Sequence, residues 1–183
     1  MIFNKVNLKN EELDFIENFV LQEWIELYKQ PCQTDFDPPE QVKDRAGNSY
    51  FFSHALMRKN NSPDTNGEVN SNHYPMFESI FLRWLKENNF NKPKHIYRAS
   101  INVTTYLDKE FSVPHYDHSW PHYNWVWYLN DSDAGTLLFD KEYNVTKEFP
   151  SKKNYACAFE NTLHAQQFPK PNQLRYVVVI TFI

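Results

Sequence analysis

The sequence predicts a mainly β, α+β domain in which N-terminal helices pack outside an antiparallel sandwich or barrel. Three observations predict it. Apolar residues recur at helical steps in two stretches before Pro93. After Pro93 the period shortens, and short runs rich in β-branched and aromatic residues follow one another. No helix-length segment separates those runs, which excludes a βαβ alternation. A chain of 183 residues is long enough for one domain with its own core.

Residues 10–29 read as an amphipathic helix. Asn10 is placed to cap it, and Glu11 and Glu12 suit the dipole in the first turn. Leu13, Ile16, Phe19, Val20, Trp24, Leu27 and Tyr28 recur at three- and four-residue steps, and Pro31 ends the run. Residues 31–49 read as a loop around Pro38 and Pro39, and residues 50–57 as a strand. Residues 59–72 are almost wholly polar and read as a mobile loop. A second helix is predicted over 74–88, with Pro75 in its first turn. Its apolar face is Met76, Phe77, Ile80, Phe81, Trp84 and Leu85. Strands are predicted over 95–107, 122–130, 136–139, 154–160 and 174–183. Within one domain (1–183), residues 1–93 are expected to be helical support and loops, and 94–183 the β core.

Composition removes several function classes. Only 3 glycines occur, with no GxGxxG and no GxxxxGK[ST], so a Rossmann dinucleotide site and a P-loop are excluded. The 20 asparagines are expected to take the corners that glycine would, because asparagine tolerates the left-handed region. Asn130, Asn144, Asn154, Asn161 and Asn172 all fall between or at the ends of predicted strands. A net charge of −4 and a pI near 6.0 give no global basic field, so nucleic acid is not favoured as a partner. Cys32 and Cys157 form no CxxC, which speaks against a disulfide scaffold and fits a reducing compartment. The start MIFNKVNLKN carries no signal-peptide pattern. The longest apolar run, residues 176–183, is far short of the about 20 residues a membrane span needs. The expected location is therefore the cytoplasm, with no membrane partner.

The chemistry is concentrated in PHYDHSWPH, residues 114–122, which holds His115, Asp117, His118 and His122. On a strand, residues two apart share a face, so His115 and Asp117 would project together while Tyr116 and His118 face elsewhere. A third ligand must come from elsewhere in the chain, and His164 follows directly on the 154–160 strand. Two histidines and one carboxylate on one face leave open positions, the arrangement of non-haem Fe(II) oxygenases rather than of closed zinc sites. The rival grouping is His115, His118 and His122 as a zinc site. His54, His73 and His95 read as structural or surface residues, and Trp120, Trp125 and Trp127 as core. Arg175 opens the last strand and shares a face with Val177, Val179 and Thr181. If the valines face the core, the guanidinium is buried and needs an anion, which a small dicarboxylate would supply through a bidentate pair. The alternative is an arginine on the solvent face or paired with a structural carboxylate.

Residues 98–183 resemble the Fe(II)- and 2-oxoglutarate-dependent oxygenases. The likeness is to prolyl-hydroxylase-like members and to small versions often encoded by bacteriophages. It is carried in order by RASINVTTY, by PHYDHSWPHYNWVWYLNDSDAGTLLF with its HxD, and by CAFENTLHAQQFPKPNQLRYVVVITF with a distal histidine and an arginine. The resemblance implies a double-stranded β-helix, a jelly-roll barrel with the site in its mouth, over residues 94–183. It implies His115, Asp117 and His164 as iron ligands and Arg175 as the clamp on the distal carboxylate of 2-oxoglutarate. Tyr128 matches a tyrosine supporting that carboxylate, and Tyr106 and Asn102 match positions lining the cosubstrate pocket. The implied reaction uses Fe(II), O2 and 2-oxoglutarate, with ascorbate in support. It hydroxylates an unactivated C–H bond of a peptidyl, prolyl-type side chain or of a small molecule, and releases succinate. The carboxylate ligand argues against a halogenase, which needs that position for halide. The reading from another class is a cupin-like metal-binding module without oxygen chemistry. For a phage-encoded protein the location would be the host cytoplasm.

Overall fold

A computed structural model describes residues 1–22, 25–31, 38–48 and 50–183. In chain order the strands and α-helices are β1 (Ile2–Lys5), α1 (Asn10–Phe15), β2 (Tyr28–Pro31), β3 (Ala46–Gly47), β4 (Tyr50–Arg58), β5 (Glu68–Val69), α2 (Tyr74–Glu87), β6 (Ile96–Thr104), β7 (Phe111–Ser112), β8 (Tyr123–Tyr128), β9 (Thr136–Phe139), β10 (Val145–Phe149), β11 (Tyr155–Glu160), β12 (His164–Gln166) and β13 (Arg175–Phe182). The main sheet runs β1-β11-β8-β13-β6-β4-β2, with β5 paired to β4. A smaller sheet, β10-β9-β12, faces it, and β3 and β7 form a short parallel pair. Every other pairing is antiparallel. The two facing sheets make the jelly-roll expected from the sequence.

Alternation along the strands builds two different faces. On the outer face of the main sheet lie Ala99, Ile101 and Val103 of β6, Trp125 and Trp127 of β8, Ala156 and Ala158 of β11, and Tyr176, Val178, Ile180 and Phe182 of β13. Helix α2 lies on that face through Phe77, Ile80, Phe81, Trp84 and Leu85. Ala156 and Ala158 pair with Trp127 and Trp125, so a methyl group opposite each indole leaves it room. The inner face carries Val126, Tyr128, Cys157, Phe159 and Val177, packed with Leu138 and Phe149 of the smaller sheet.

The predicted helix over 10–29 is shorter than its periodicity implies. α1 ends at Phe15, and the chain continues as one π turn, Ile16–Val20, closed by Leu21 N–H on the Ile16 carbonyl at 2.9 Å. Ile16, Val20 and Ile25 still bury their side chains. Tyr28–Pro31 instead pairs with β4 at the sheet edge, where a ladder of hydrogen bonds outweighs helix propensity. Trp24 and Cys32 lie outside the described residues. The N-cap is Lys9 rather than Asn10, and its N–H donates to the Glu12 carboxylate at 2.7 Å. The boundary at 93/94 separates nothing physically, because β1, β2, β4 and β5 all join the main sheet. Residues 59–72 fold back on β6. Gly67 N–H donates to the Ile96 carbonyl at 2.8 Å, and Tyr97 Oη–H to the Pro63 carbonyl at 2.9 Å.

Asparagine takes corners as expected at two of the named positions. Asn154 (φ 61°) and Asn172 (φ 66°) are left-handed, together with Asn89 and Tyr143. No glycine has positive φ. Glycine serves close approach instead: at Gly135 a Cβ would run into the Phe149 carbonyl oxygen. Among the described residues no helix is long and apolar enough to cross a membrane.

Candidate active site

His115 and His164 are locked together by their backbones. His115 lies outside the named strands and His164 opens β12; His115 N–H donates to the His164 carbonyl at 2.9 Å and His164 N–H returns a bond to the His115 carbonyl at 3.0 Å. Each ring then donates from Nδ1 to the carbonyl two residues before it, Val113 at 3.0 Å and Thr162 at 2.9 Å. A carbonyl only accepts, so both Nδ1 atoms carry protons, and Nε2 is the atom each ring turns to the site, the one that offers a lone pair to a metal when the ring is neutral. Asp117 completes the group: one ligand atom from each of the three side chains lies within 4.8 Å of the others. Its Oδ2 is 3.3 Å from His164 Nε2.

The route to this convergence differs from strand alternation. Only His115 makes a β bridge, and Asp117 returns to the site through an irregular segment that leaves Tyr116 exposed. The rival zinc grouping does not form. His118 Nε2 is hydrogen-bonded to Thr181 Oγ1 at 2.9 Å, and His122 Nδ1 donates to the Trp120 carbonyl at 2.8 Å. Among the described residues, His115, Asp117 and His164 are the one group of three or more such donors that converges.

Electrostatics prepares these groups for a cation. Burial, with His164 alongside, holds the His115 imidazole down at about 4, so it is neutral at physiological pH. Burial pushes the Asp117 carboxyl up, but the hydrogen bond from His164 and the Arg98 guanidinium outweigh it and hold the carboxyl well below its usual range. Arg98 Nη1 lies 3.3 Å from Asp117 Oδ1, and the Lys59 ammonium donates to the Asp117 carbonyl.

Beyond Gln166, Arg175 closes the other end of the site. The side chain is fully buried, with Nε donating to the Ala134 carbonyl at 3.0 Å and Nη2 to Thr136 Oγ1 at 2.9 Å. Nη1 reaches Gln166 Oε1 at 3.4 Å, and the guanidinium carbon sits 5.5 Å from the centre of the Tyr128 ring. None of these partners is a carboxylate. Burial alone pulls the guanidinium pKa down, which marks a charge still lacking an anion. The alternative of a solvent-facing or carboxylate-paired Arg175 is therefore absent. A cavity of about 920 Å³ between the two sheets is lined by His115, Asp117, His164, Arg175 and Asn102.

Two of the residues expected at the cosubstrate pocket sit elsewhere. Tyr128 is fully buried beneath the cavity wall, and its hydroxyl is spent on Thr136 Oγ1 at 2.8 Å and the Phe149 carbonyl at 3.3 Å. It meets the pocket lining from behind, through Thr136 and Arg175. Tyr106 lies beyond the end of β6, exposed, with its hydroxyl 3.4 Å from Asp108. It therefore does not share a strand face with Asn102. Asn102 does line the cavity and accepts from Ser53 Oγ at 2.8 Å. Thr136, Gln166, Arg98 and Lys59 line it as well and were not among the expected residues. For Arg98 the signal is in the sequence: Arg98, Ser100, Asn102 and Thr104 alternate with Ala99, Ile101 and Val103.

No family model and no curated protein matches the sequence. Solved structures do share the fold. An oxidoreductase of the 2OG-Fe(II) oxygenase family from Burkholderia pseudomallei superposes with a TM-score of 0.66 at 13% identity, covering 99% of this chain and 84% of that one. A prolyl-4-hydroxylase from Pseudomonas putida gives 0.54 at 12% identity, over 99% and 90%. A prolyl hydroxylase from Trichoplax adhaerens, solved with a hypoxia inducible factor peptide fragment, gives 0.56 at 10% identity, over 100% and 82%.

Proposed function

We propose that the protein is an Fe(II)- and 2-oxoglutarate-dependent dioxygenase that hydroxylates an unactivated C–H bond. The observation that carries this reading is Arg175, a buried guanidinium with no carboxylate partner, opening on the same cavity as His115, Asp117 and His164. The fit of the donors to iron rests on two Nε2 atoms turned to the site and one ionised carboxylate, a set that leaves coordination positions for other ligands. His115, Asp117 and His164 would hold iron(II), which would supply the O2 chemistry that links hydroxylation of the substrate to conversion of 2-oxoglutarate into succinate and CO2.

The chain's own residues have separable tasks. His115 and His164 present Nε2 because backbone carbonyls hold their Nδ1 protons, so neither ring rotates away. Asp117 stays ionised through His164 and Arg98. Arg175 binds the distal carboxylate of 2-oxoglutarate, and its own orientation comes from Ala134, Thr136 and Gln166. Tyr128 acts on that clamp from below, its ring against the guanidinium. Val126, Val177 and Val179 line the cavity wall and exclude water between the two ends. The target is a peptide, of prolyl type, or a small molecule. A reducing cytoplasm suits both Fe(II) and the buried free thiol of Cys157, with ascorbate as supporting reductant.

The test is succinate formation from 2-oxoglutarate with Fe(II) and ascorbate, with a substrate screen read as a mass gain of one oxygen. Fe(II)-dependent succinate that vanishes in His115→Ala and Asp117→Ala is the expected result. Normal turnover in both variants, or a protein with no affinity for 2-oxoglutarate, overturns the assignment in favour of a metal-binding module.

A further inference from the structure

The cavity carries more positive charge than the proposed cofactor and cosubstrate can use. Among the described lining residues the fixed charges are Lys59, Arg98 and Arg175 against Asp117 alone, a surplus of two positive charges. A divalent metal and a dianionic cosubstrate cancel each other and leave that surplus in place. Arg175 is satisfied by the cosubstrate, so the excess rests on Lys59 and Arg98. It sits in a protein whose net charge is −4, so no general basic surface accounts for it.

Position separates this pair from the cosubstrate end. Asp117 turns Oδ2 to His164 and Oδ1 to Arg98, so Arg98 lies across the carboxylate from the histidine. His164 is two residues from Gln166, the neighbour of Arg175, on the same short strand. Arg175 and Arg98 thus stand on opposite sides of the donor group. Their strand partners agree: on β13, Arg175 faces Thr104, and Thr181 faces Arg98.

Among the described residues both cations are under-partnered. Of the five N–H donors of Arg98, one makes a contact, to a carboxylate the metal would share. Lys59 makes one bond, to a backbone carbonyl, and no ion pair. Elsewhere the cavity wall is apolar or weakly polar, with Pro39, Phe51, Tyr116 and Tyr143. Cations with spare donors in such a wall are built to meet an anion.

We propose that the substrate carries an oxyanion, a carboxylate or a phosphate, and that Lys59 and Arg98 bind it at the end of the cavity opposite Arg175. This deepens the proposed oxygenase reading and rests on it for the existence of a substrate. The two cations would fix which end of the substrate enters and so which C–H bond meets the metal side.

The test uses the full chain loaded with Zn(II) and 2-oxoglutarate, a pairing without oxygen chemistry that fills the Arg175 end. Calorimetric titration with acetate, inorganic phosphate and neutral acetamide follows. At least one oxyanion is expected to bind and acetamide is not. Lys59→Met should weaken that binding about tenfold or more, as expected for a lost hydrogen bond to a charged group. Lys59→Arg should restore it, and Lys92→Met, on the exposed surface, should bind as wild type. Binding of acetate alone assigns a carboxylate and of phosphate alone a phosphoryl group. If 2-oxoglutarate fails to load, the proposed activity falls. If the loaded protein takes up neither oxyanion, or Lys59→Met binds as wild type, the anion subsite alone is overturned.

Discussion

The two faces of β13 belong to one backbone ladder but carry opposite chemistry. Tyr176, Val178, Ile180 and Phe182 face α2 in a continuous apolar layer. Arg175, Val177, Val179 and Thr181 face the cavity, where a buried charge lacks an anion. The first face has every contact it needs within the chain. The second is complete only with something added. The difference teaches that stability and the proposed chemistry are carried by alternate residues of the same strand. Substitutions one residue apart should therefore separate the two.

The largest expected effect is on the cavity side of this division. His115→Ala should abolish succinate formation while moving unfolding by no more than about 1 kcal/mol, since the bridge to His164 is made by backbone. A loss of activity that merely tracks a loss of fold would break the comparison. On the helix side, Trp127→Ala should cost about 3–5 kcal/mol in denaturant unfolding, the range for deleting a fully buried aromatic. Arg175→Ala should weaken 2-oxoglutarate binding on the order of a hundredfold, about 3 kcal/mol, with iron binding largely intact. Unchanged cosubstrate affinity, measured by calorimetry, would place the clamp elsewhere.

The pH dependence sharpens the same contrast in the metal-free protein. Burial lowers His115 and His118 from the ordinary 6.5 to about 4, so the folded state binds fewer protons than the unfolded one. Their contribution is complete above about pH 6.5 and is lost as the pH falls toward about 4. Asp117, also lowered, adds a loss in the same direction at still lower pH. Chemical unfolding measured across that window should show a decline on the order of a few kcal/mol. A flat profile would mean that the cavity side is not the strained one. The smallest effect belongs to neither face: Asn172→Ala, at an exposed left-handed corner, should cost about 1 kcal/mol.

Legibility followed the range of the physics involved. α2 could be read because its apolar period runs over four turns and has a proline at the start. β6, β8, β9, β11 and β13 could be read because alternation and β-branching are local. β1 and β2 could not, being short edge strands that pair with segments elsewhere in the chain, nor could β10, which pairs with neighbouring β9 but is mostly exposed and lacks an apolar alternation. The helix over 10–29 failed for the same reason in reverse, since a distant sheet edge claimed its last residues. Tyr128 carries the right residue in the right strand, and only its packing shows a hydroxyl turned to Thr136 and Phe149.

The sequence by itself determined the β-rich core and named His115, Asp117 and His164 as a candidate donor set and Arg175 as a candidate inward charge, because residue chemistry and short-range periodicity are written in the chain. It determined the exclusions too, since a chain with 3 glycines has none of the phosphate-cradling glycine motifs. Only the tertiary structure decided that Lys59 joins that site and that the polar face of β6 brings Arg98 to Asp117, that Tyr106 and the Tyr128 hydroxyl leave it, and that His118 and His122 stay out of the donor group. Those outcomes depend on strand register and on one backbone bridge between residues 115 and 164, and no local pattern encodes a register.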